Sequence, residues 1–349
     1  MKFPEFLKKG EAIGFVAPSF GCNIEPYRSS FGHAIERFSQ LGHPALCGPN
    51  VYAGDGVGIS TAPEKCGREF TDMYLSDACR AVLSCGGGEM MCEILRFVDF
   101  DTVAAARPKW FMGYSDNTNL SFLLPTLCDT AAIYGPCAPA FGMEPWHSSI
   151  EDAYRLLRGE KLSSEGYPLY EIQSRKDEEH PLEPYHCTEA RRITACDPKT
   201  AVPTQRSIAF SGRLIGGCLD ILATLCGTRF DKVCSFTERY REDGLIWFLE
   251  ACDLSVFGIR RAVWQLKNAG WFENASGFLI GRPLAGREDQ LGLDHIRAVT
   301  DILSEYHVPI LLDTDIGHLP PMMPLICGSM ADVSYDPVSD DFRLEMHLR

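Results

Sequence analysis

The sequence predicts an α/β protein in two parts: an N-terminal domain built on a parallel sheet, and a smaller C-terminal domain of mixed β/α structure. Three observations carry this. Over the first 150 residues, short apolar runs alternate with helical patterns. Between 156 and 206 the pattern gives way to polar, charged, proline-bearing sequence. From about 207 the alternation resumes. Near-continuous apolar runs separated by helices mark βαβ units, whose strands are buried on both faces. The expected divisions are 1–155 for the first domain, 156–206 for an interdomain linker or long loop, and 207–349 for the second domain.

In chain order, AIGFVAP (12–18) is the first expected strand, and PYRSSFGHAIERFSQLG (26–42) has the periodicity of a helix. PEKCGREFTDMYLSD (63–77) is a second helix, leading to the strand RAVLSC (80–85). EMMCEILRFVD (89–99) is helical, KWFMGYS (109–115) a strand, DNTNLSFLLPTLC (116–128) helical and AAIYGPC (131–137) a strand. In such a sheet ligands gather at the carboxyl ends of the strands. In the second region GRLIGGCLDILATLCGT (212–228) starts as a strand and continues as a helix. GLIWFLEAC (244–252), GFLIGRP (277–283) and VPILLDT (308–314) are further strands. FGIRRAVWQLKNAGWF (257–272) is a helix with Ile259, Ala262, Val263 and Leu266 on one face.

Composition excludes several function classes. The formal charge is −14 and no basic run exists, so nucleic acid is not expected as a partner. No stretch reaches the roughly 20 apolar residues of a spanning helix, so no membrane partner is expected. The N-terminus lacks the apolar core of a signal peptide, which points to the cytoplasm. The fifteen cysteines include no CxxC and no Cys/His zinc spacing, and are expected as reduced, mostly buried thiols. No metal or other cofactor is expected.

Ser115 stands at a strand exit, between Tyr114 and Asp116, where a helix begins. A serine on a sharp strand-to-helix turn is held clear of the sheet, near helix N–H groups that favour developing negative charge. The same residue could be an ordinary N-cap. Asn117 occupies the position of the second glycine of GxSxG. SCGGGEMM (84–91) follows another strand. Its glycines could hold a tetrahedral oxyanion together with the Asp116 N–H, cradle a phosphate, or form a tight turn. They fit neither GxGxxG nor GxxxxGK[ST].

A serine nucleophile needs a base and an orienting acid. His318 follows an apolar strand and a glycine, and precedes two prolines that stiffen its loop. Glu250 ends the apolar run Ile246–Leu249, where a buried carboxylate needs a partner, although an edge-strand glutamate facing water would read the same. Asp253 and Asp313 are weaker candidates of the same kind. Arg282 and Arg287, in GRPLAGRED, are either surface charges or forks for a substrate carboxylate.

Together these motifs resemble the LD-carboxypeptidase family, which includes muramoyl-tetrapeptide carboxypeptidases and microcin C self-immunity peptidases. The resemblance spans nearly the whole chain. It rests on GFVAPS (14–19), CGGGE with FVDFD (97–101), FMGYSD (111–116), GRLIGGCLDIL (212–222), LIWFLE (245–250) and GHLPPMMPLICG (317–328). It implies a flavodoxin-like first domain and a serine peptidase with Ser115 as nucleophile, His318 as general base and Glu250 as its orienter. Backbone N–H groups of Gly87 and Asp116 would hold the oxyanion. It also implies a homodimer acting on a small peptide or peptide–nucleotide substrate, in peptidoglycan recycling or microcin immunity. A catalytically idle binding protein on the same scaffold is the further alternative. The chain departs from the family pattern at Cys85, where Arg or Ile usually precedes Gly-Gly, and at Cys218, where Asn is usual. It also lacks the tryptophans of the immunity branch between 156 and 206, where only Tyr167, Tyr170 and Tyr185 are aromatic.

Overall fold

In the computed structural model, which describes all 349 residues, the apolar runs of the first region become five short strands. These are β1 (Ile13–Val16), β2 (Ala45–Cys47), β3 (Ala81–Ser84), β4 (Trp110–Gly113) and β5 (Ala132–Tyr134). They pair in parallel in the order β2-β1-β3-β4-β5. This is the flavodoxin-like order, and the winding reverses between β1 and β3, the switch point at which sheets of this kind bind ligands. β1, β3 and β4 are buried at every position, which is why they carry no polar alternation. On one face Phe15 packs on Phe31 and Phe38 of helix α1 (Tyr27–Gln40), with ring centroids 5.4 and 5.9 Å away. On the other, Phe111 meets Phe70 of α2 (Pro63–Leu75) edge-on at 5.6 Å.

Three elements of this region differ from the sequence expectation. β2 is a three-residue edge strand, partly exposed and too short to show a pattern. The expected helix at 89–99 is a 3₁₀ helix, Met91–Phe97, followed by α3 (Phe100–Ala105). The expected helix at 116–128 is divided into a 3₁₀ turn (Ser115–Asn117), α4 (Thr118–Ser121) and α5 (Leu123–Cys128). Pro125 explains the last break, since it has no N–H for the Ser121 carbonyl. A sixth helix, α6 (Ser148–Leu157), follows.

The chain forms two compact units. The first comprises 1–161 and 173–186, the second 162–172 and 187–349. The stretch 156–206, expected as a linker, is shared between them, which makes the second unit as long as the first rather than smaller. Its segments are tied down locally. Glu144 N–H donates to Leu182 O at 2.9 Å within the first unit, and Tyr167 N–H to the Asp315 carboxylate at 2.8 Å within the second.

The second unit contributes short strands β6 (Ser163–Ser164), β7 (Leu169–Tyr170), β8 (Glu189–Ala190) and β9 (Thr194–Cys196), then β10 (Ile208–Cys218), β11 (Leu245–Glu250), β12 (Ala275–Gly281) and β13 (Ile310–Thr314). β14 (Leu325–Cys327), β15 (Met330–Asp336) and β16 (Asp341–His347) complete it. Its main sheet runs β6-β16-β15-β10-β11-β12-β13-β9, with a parallel centre β10 to β13 and antiparallel flanks. The first half of β10 lies against antiparallel β15 and alternates in burial; its second half lies against parallel β11 and is buried throughout. Helices α7 (Leu219–Leu225), α8 (Val233–Arg239), α9 (Val256–Asn268) and α10 (His295–Leu303) follow in turn. α9 buries Ile259, Ala262, Val263 and Leu266. No cysteine is in a disulfide, and nine of the fifteen are buried. No helix is long and apolar enough to cross a membrane.

Candidate active site

At the end of β4 the chain is extended at Tyr114 and then turns sharply, with Ser115 at φ 63°. A left-handed backbone costs a residue with a side chain on the order of 1 kcal/mol, and such strain collects at functional turns. The neighbours hold it there. Ser115 N–H donates to the Tyr134 hydroxyl at 3.4 Å. Asn117 Nδ2 donates to Gly86 O at 2.8 Å and to Tyr114 O at 3.1 Å, so the residue in the second-glycine position fastens the serine turn to the glycine loop. Gly87 lies so close that a Cβ there would stand 3.1 Å from Ser115 Cβ and 3.2 Å from its Oγ. A glycine there leaves its backbone uncovered beside the hydroxyl.

The Asp116 side chain has a role that the sequence reading assigned only to its N–H. It is buried and accepts from Ser19 Oγ at 2.6 Å, Met91 N–H at 3.0 Å and Asn119 Nδ2 at 3.1 Å. One carboxylate thus joins the exits of β1, β3 and β4. Burial pushes its pKa up to about 6, against the pull of those donors. The signal was an acid placed directly after a buried strand and a serine.

In the second unit Glu250 ends β11, 1% exposed, and its Oε2 lies 2.9 Å from His318 Nδ1. A carboxylate at Nδ1 favours the tautomer with the proton there, leaving a lone pair on Nε2. Burial alone would lower the His318 pKa; the Glu250 carboxylate, with the Cys252 thiol beside the ring, outweighs it and holds the pKa well above its ordinary value. Gly317, at φ 107°, makes the approach possible: a Cβ there would meet Glu250 Oε2 at 2.6 Å. The weaker acid candidates are elsewhere. Asp253 is exposed on the turn after β11, its N–H held by Asp220, and Asp313 meets His295 at 3.3 Å.

The two arginines separate. Arg282 is buried; its Nη1 pairs with Asp315 Oδ1 at 2.6 Å and donates to Asp313 O at 3.1 Å, and its Nη2 donates to Leu319 O at 3.5 Å. Its fork is a strut for the loop that carries His318, and only its Nε–H is left without an acceptor. Arg287 is exposed and donates to the Tyr170 hydroxyl at 3.2 Å. Asp315 was missed by the sequence reading, although an acid just past an apolar strand was its signal. Of the departures from the family pattern, Cys218 sits beside Glu250 in the parallel ladder and donates its S–H to Asp220 at 3.3 Å. Cys85 is buried, with Cys22 Sγ donating to its carbonyl at 3.5 Å. Burial drives both the Cys218 and Cys85 thiol pKa values well up, so they act here as packed, neutral groups. No group of three or more His, Cys, Asp or Glu could hold a metal ion.

Comparison with known proteins gives consistent matches. The model of the LD-carboxypeptidase N-terminal domain matches residues 13–135, and that of the C-terminal domain matches 211–333. The microcin C7 self-immunity protein MccF of Escherichia coli is 24% identical over 337 residues, spanning 95% of this chain and 92% of its own. A probable murein peptide carboxypeptidase of Bacillus subtilis is 24% identical over 336 residues, 94% and 90% of the two chains. Among solved structures, an MccF-like protein from Bacillus anthracis superposes with a TM-score of 0.82 at 21% identity, covering 99% of this chain and 100% of the other. MccF in complex with glutamyl sulfamoyl guanosine gives 0.79 at 20% identity, covering 99% and 98%.

Proposed function

The chain belongs to the LD-carboxypeptidase family of serine peptidases, and from that premise we propose that it hydrolyses an amide bond in a small peptide conjugate, as a carboxypeptidase acting on muropeptides. The observation that carries the reading is the pairing of Glu250 with His318 at 2.9 Å in one unit, alongside the strained Ser115 turn against Gly87 in the other. In this reading the Ser115 hydroxyl attacks the scissile carbonyl and His318 Nε2 takes its proton, while Glu250 stabilises the resulting imidazolium. The N–H groups of Gly87 and Asp116 stabilise the oxyanion. His318 then returns the proton to the leaving amine, and water resolves the acyl-enzyme. Arg287 and Arg282 are the groups we assign to a substrate carboxylate. The same reading places the protein in the cytoplasm, as a homodimer, in wall-peptide recycling.

Muropeptides are favoured over aminoacyl-nucleotides by the tyrosines of 156–206. Tyr167 is buried, Tyr170 lies under the Arg282 guanidinium at 4.4 Å, and Tyr185 packs on His147 at 5.5 Å. Each ring is already engaged, which leaves less for a nucleobase to stack on. The test is a parallel assay with a tetrapeptide muropeptide and an aminoacyl-sulfamoyl adenosine, together with fluorophosphonate labelling. We expect release of the terminal residue from the muropeptide, and Ser115-dependent labelling. Ser115→Ala should lower the rate by at least about 10³-fold with the fold intact. Cleavage of the nucleotide conjugate alone would select the immunity reading. Turnover that survives Ser115→Ala would remove Ser115 as nucleophile, and a protein that neither cleaves nor is labelled would be an idle binding scaffold.

A further inference from the structure

At the carboxyl ends of β12 and β13 the second unit has an open pocket of about 370 Å³, within the range of small-ligand pockets. Arg282 and Tyr170 line it, with Arg287, Glu189 and Arg192 on other sides and the His295–Asp313 pair at the start of α10. The charges do not cancel pairwise. Arg282 is compensated by Asp315, and His295 by Asp313, whose hydrogen bond raises the imidazole pKa. Asp313 is itself turned to φ 60°, a strained setting for a residue with a side chain. Arg287, which donates to the Tyr170 hydroxyl, and Arg192 are in no ion pair, and Glu189, on β8, lines the same space with no cation paired to it, its Oε1 accepting from Thr188 Oγ1 at 3.3 Å. Arg282 itself is 4% exposed, its guanidinium stacked on the Tyr170 ring at 4.4 Å, so the accessible charges of the pocket are those of Arg287, Arg192 and Glu189.

We propose that this cavity binds a zwitterionic amino-acid group, its carboxylate taken by Arg287 and Arg192, and its ammonium by Glu189. Two unpaired cations and one unpaired anion match a carboxylate beside an ammonium. A dianionic phosphate would be repelled by Glu189, and an amine alone by the arginines. The proposal rests on the peptidase reading in one respect: the group is taken to be the amino-acid end of the peptide substrate or its product. Through Arg282, which also donates to Leu319 O, the cavity wall and the loop bearing His318 share one strut.

The experiment is isothermal titration of the full-length protein with norvaline, N-acetylnorvaline, norvalinamide and inorganic phosphate. Norvaline is expected to bind at least fivefold more tightly than either derivative or phosphate. Arg287→Ala and Glu189→Ala, both at exposed positions, should each weaken it at least fivefold, and only Glu189→Ala should leave N-acetylnorvaline unaffected. Equal or tighter binding of norvalinamide or phosphate, or no detectable binding of norvaline, would overturn the inference. Because binding is read without turnover, its failure beside intact Ser115-dependent hydrolysis would reject the cavity alone. Binding without hydrolysis would reject the peptidase reading alone.

Discussion

At the exit of β4 the chain exposes a hydroxyl by bending its own backbone, with Ser115 at φ 63° and Gly87 within a methyl group's reach. At the exit of β11 it does the opposite: the strand ends in regular geometry, and a charge, Glu250, is buried where His318 must come to it from 68 residues away. The first arrangement is local and made of backbone; the second is long-range and made of ionisable side chains. They should therefore fail differently. Damage to the first should change the rate with little change in pH dependence, whereas damage to the second should move the pH profile.

The largest effect that bears on this contrast is expected from Glu250→Gln. It leaves the imidazole buried without its carboxylate, and kcat should fall by about 10²–10⁴-fold, as when the acid of a serine triad is made neutral. In the proposed mechanism His318 accepts a proton only when neutral, so the acid limb of the wild-type profile should lie above the ordinary histidine pKa, where Glu250 holds it. In the variant burial dominates, and the limb should move to lower pH. The linked stability follows the same sign. A raised histidine pKa stabilises the fold below the unfolded value of about 6.5 and loses that contribution as pH rises through the folded value. A limb that does not move in Glu250→Gln would break the distinction between the two regions.

A smaller effect should separate two glycines. Gly317→Ala adds a methyl at φ 107° that meets Glu250 Oε2 at 2.6 Å, whereas Gly87→Ala adds one that stands 3.1–3.2 Å from Ser115. The first has both backbone strain and a clash with the acid, and should cost about 10–100-fold in kcat with a shifted pH profile. The second should cost under about tenfold, with the profile unmoved. Circular dichroism and steady-state kinetics on both variants test this, and equal effects would erase the contrast.

The smallest catalytic effect, and the clearest on stability, is expected at Asp116. Its pKa is raised from 3.8 to about 6, so the unfolded chain ionises first and the native state loses stability as pH rises between those values. The loss is on the order of 3 kcal/mol. Urea unfolding from pH 4 to 7 should show this slope in the wild type and a flatter one in Asp116→Asn. Identical slopes would mean that the Ser19, Met91 and Asn119 donors already offset the burial.

These regions also differed in how far they could be read in advance. GYSD beside an apolar run, and GGG after another, mark strand exits by residue type alone, because a turn's needs are met within a few residues. Glu250 and His318 were conspicuous for a related reason: a carboxylate closing IWFL has to be paired or exposed. What could not be read was who pairs with whom among the acids. Asp313, Asp315 and Asp253 look alike in sequence, yet one meets His295, one Arg282, and one faces solvent. The helix expected at 116–128 divided because Pro125 removed one hydrogen bond, and β15 and β16 were missed because half of each strand faces water.

Hydrophobic periodicity, the glycines and the acid after the serine are written residue by residue, so the sequence alone determined the α/β class, the parallel strands of the first unit and the candidates Ser115, Glu250 and His318. The tertiary structure alone decided that Arg282 is a buried strut, that the Asp116 carboxylate joins three strand exits, and that 156–206 is divided between two units. Those outcomes depend on which distant groups share a buried space, where an unpaired charge is costly and a partner must be found, and no local pattern encodes that partner.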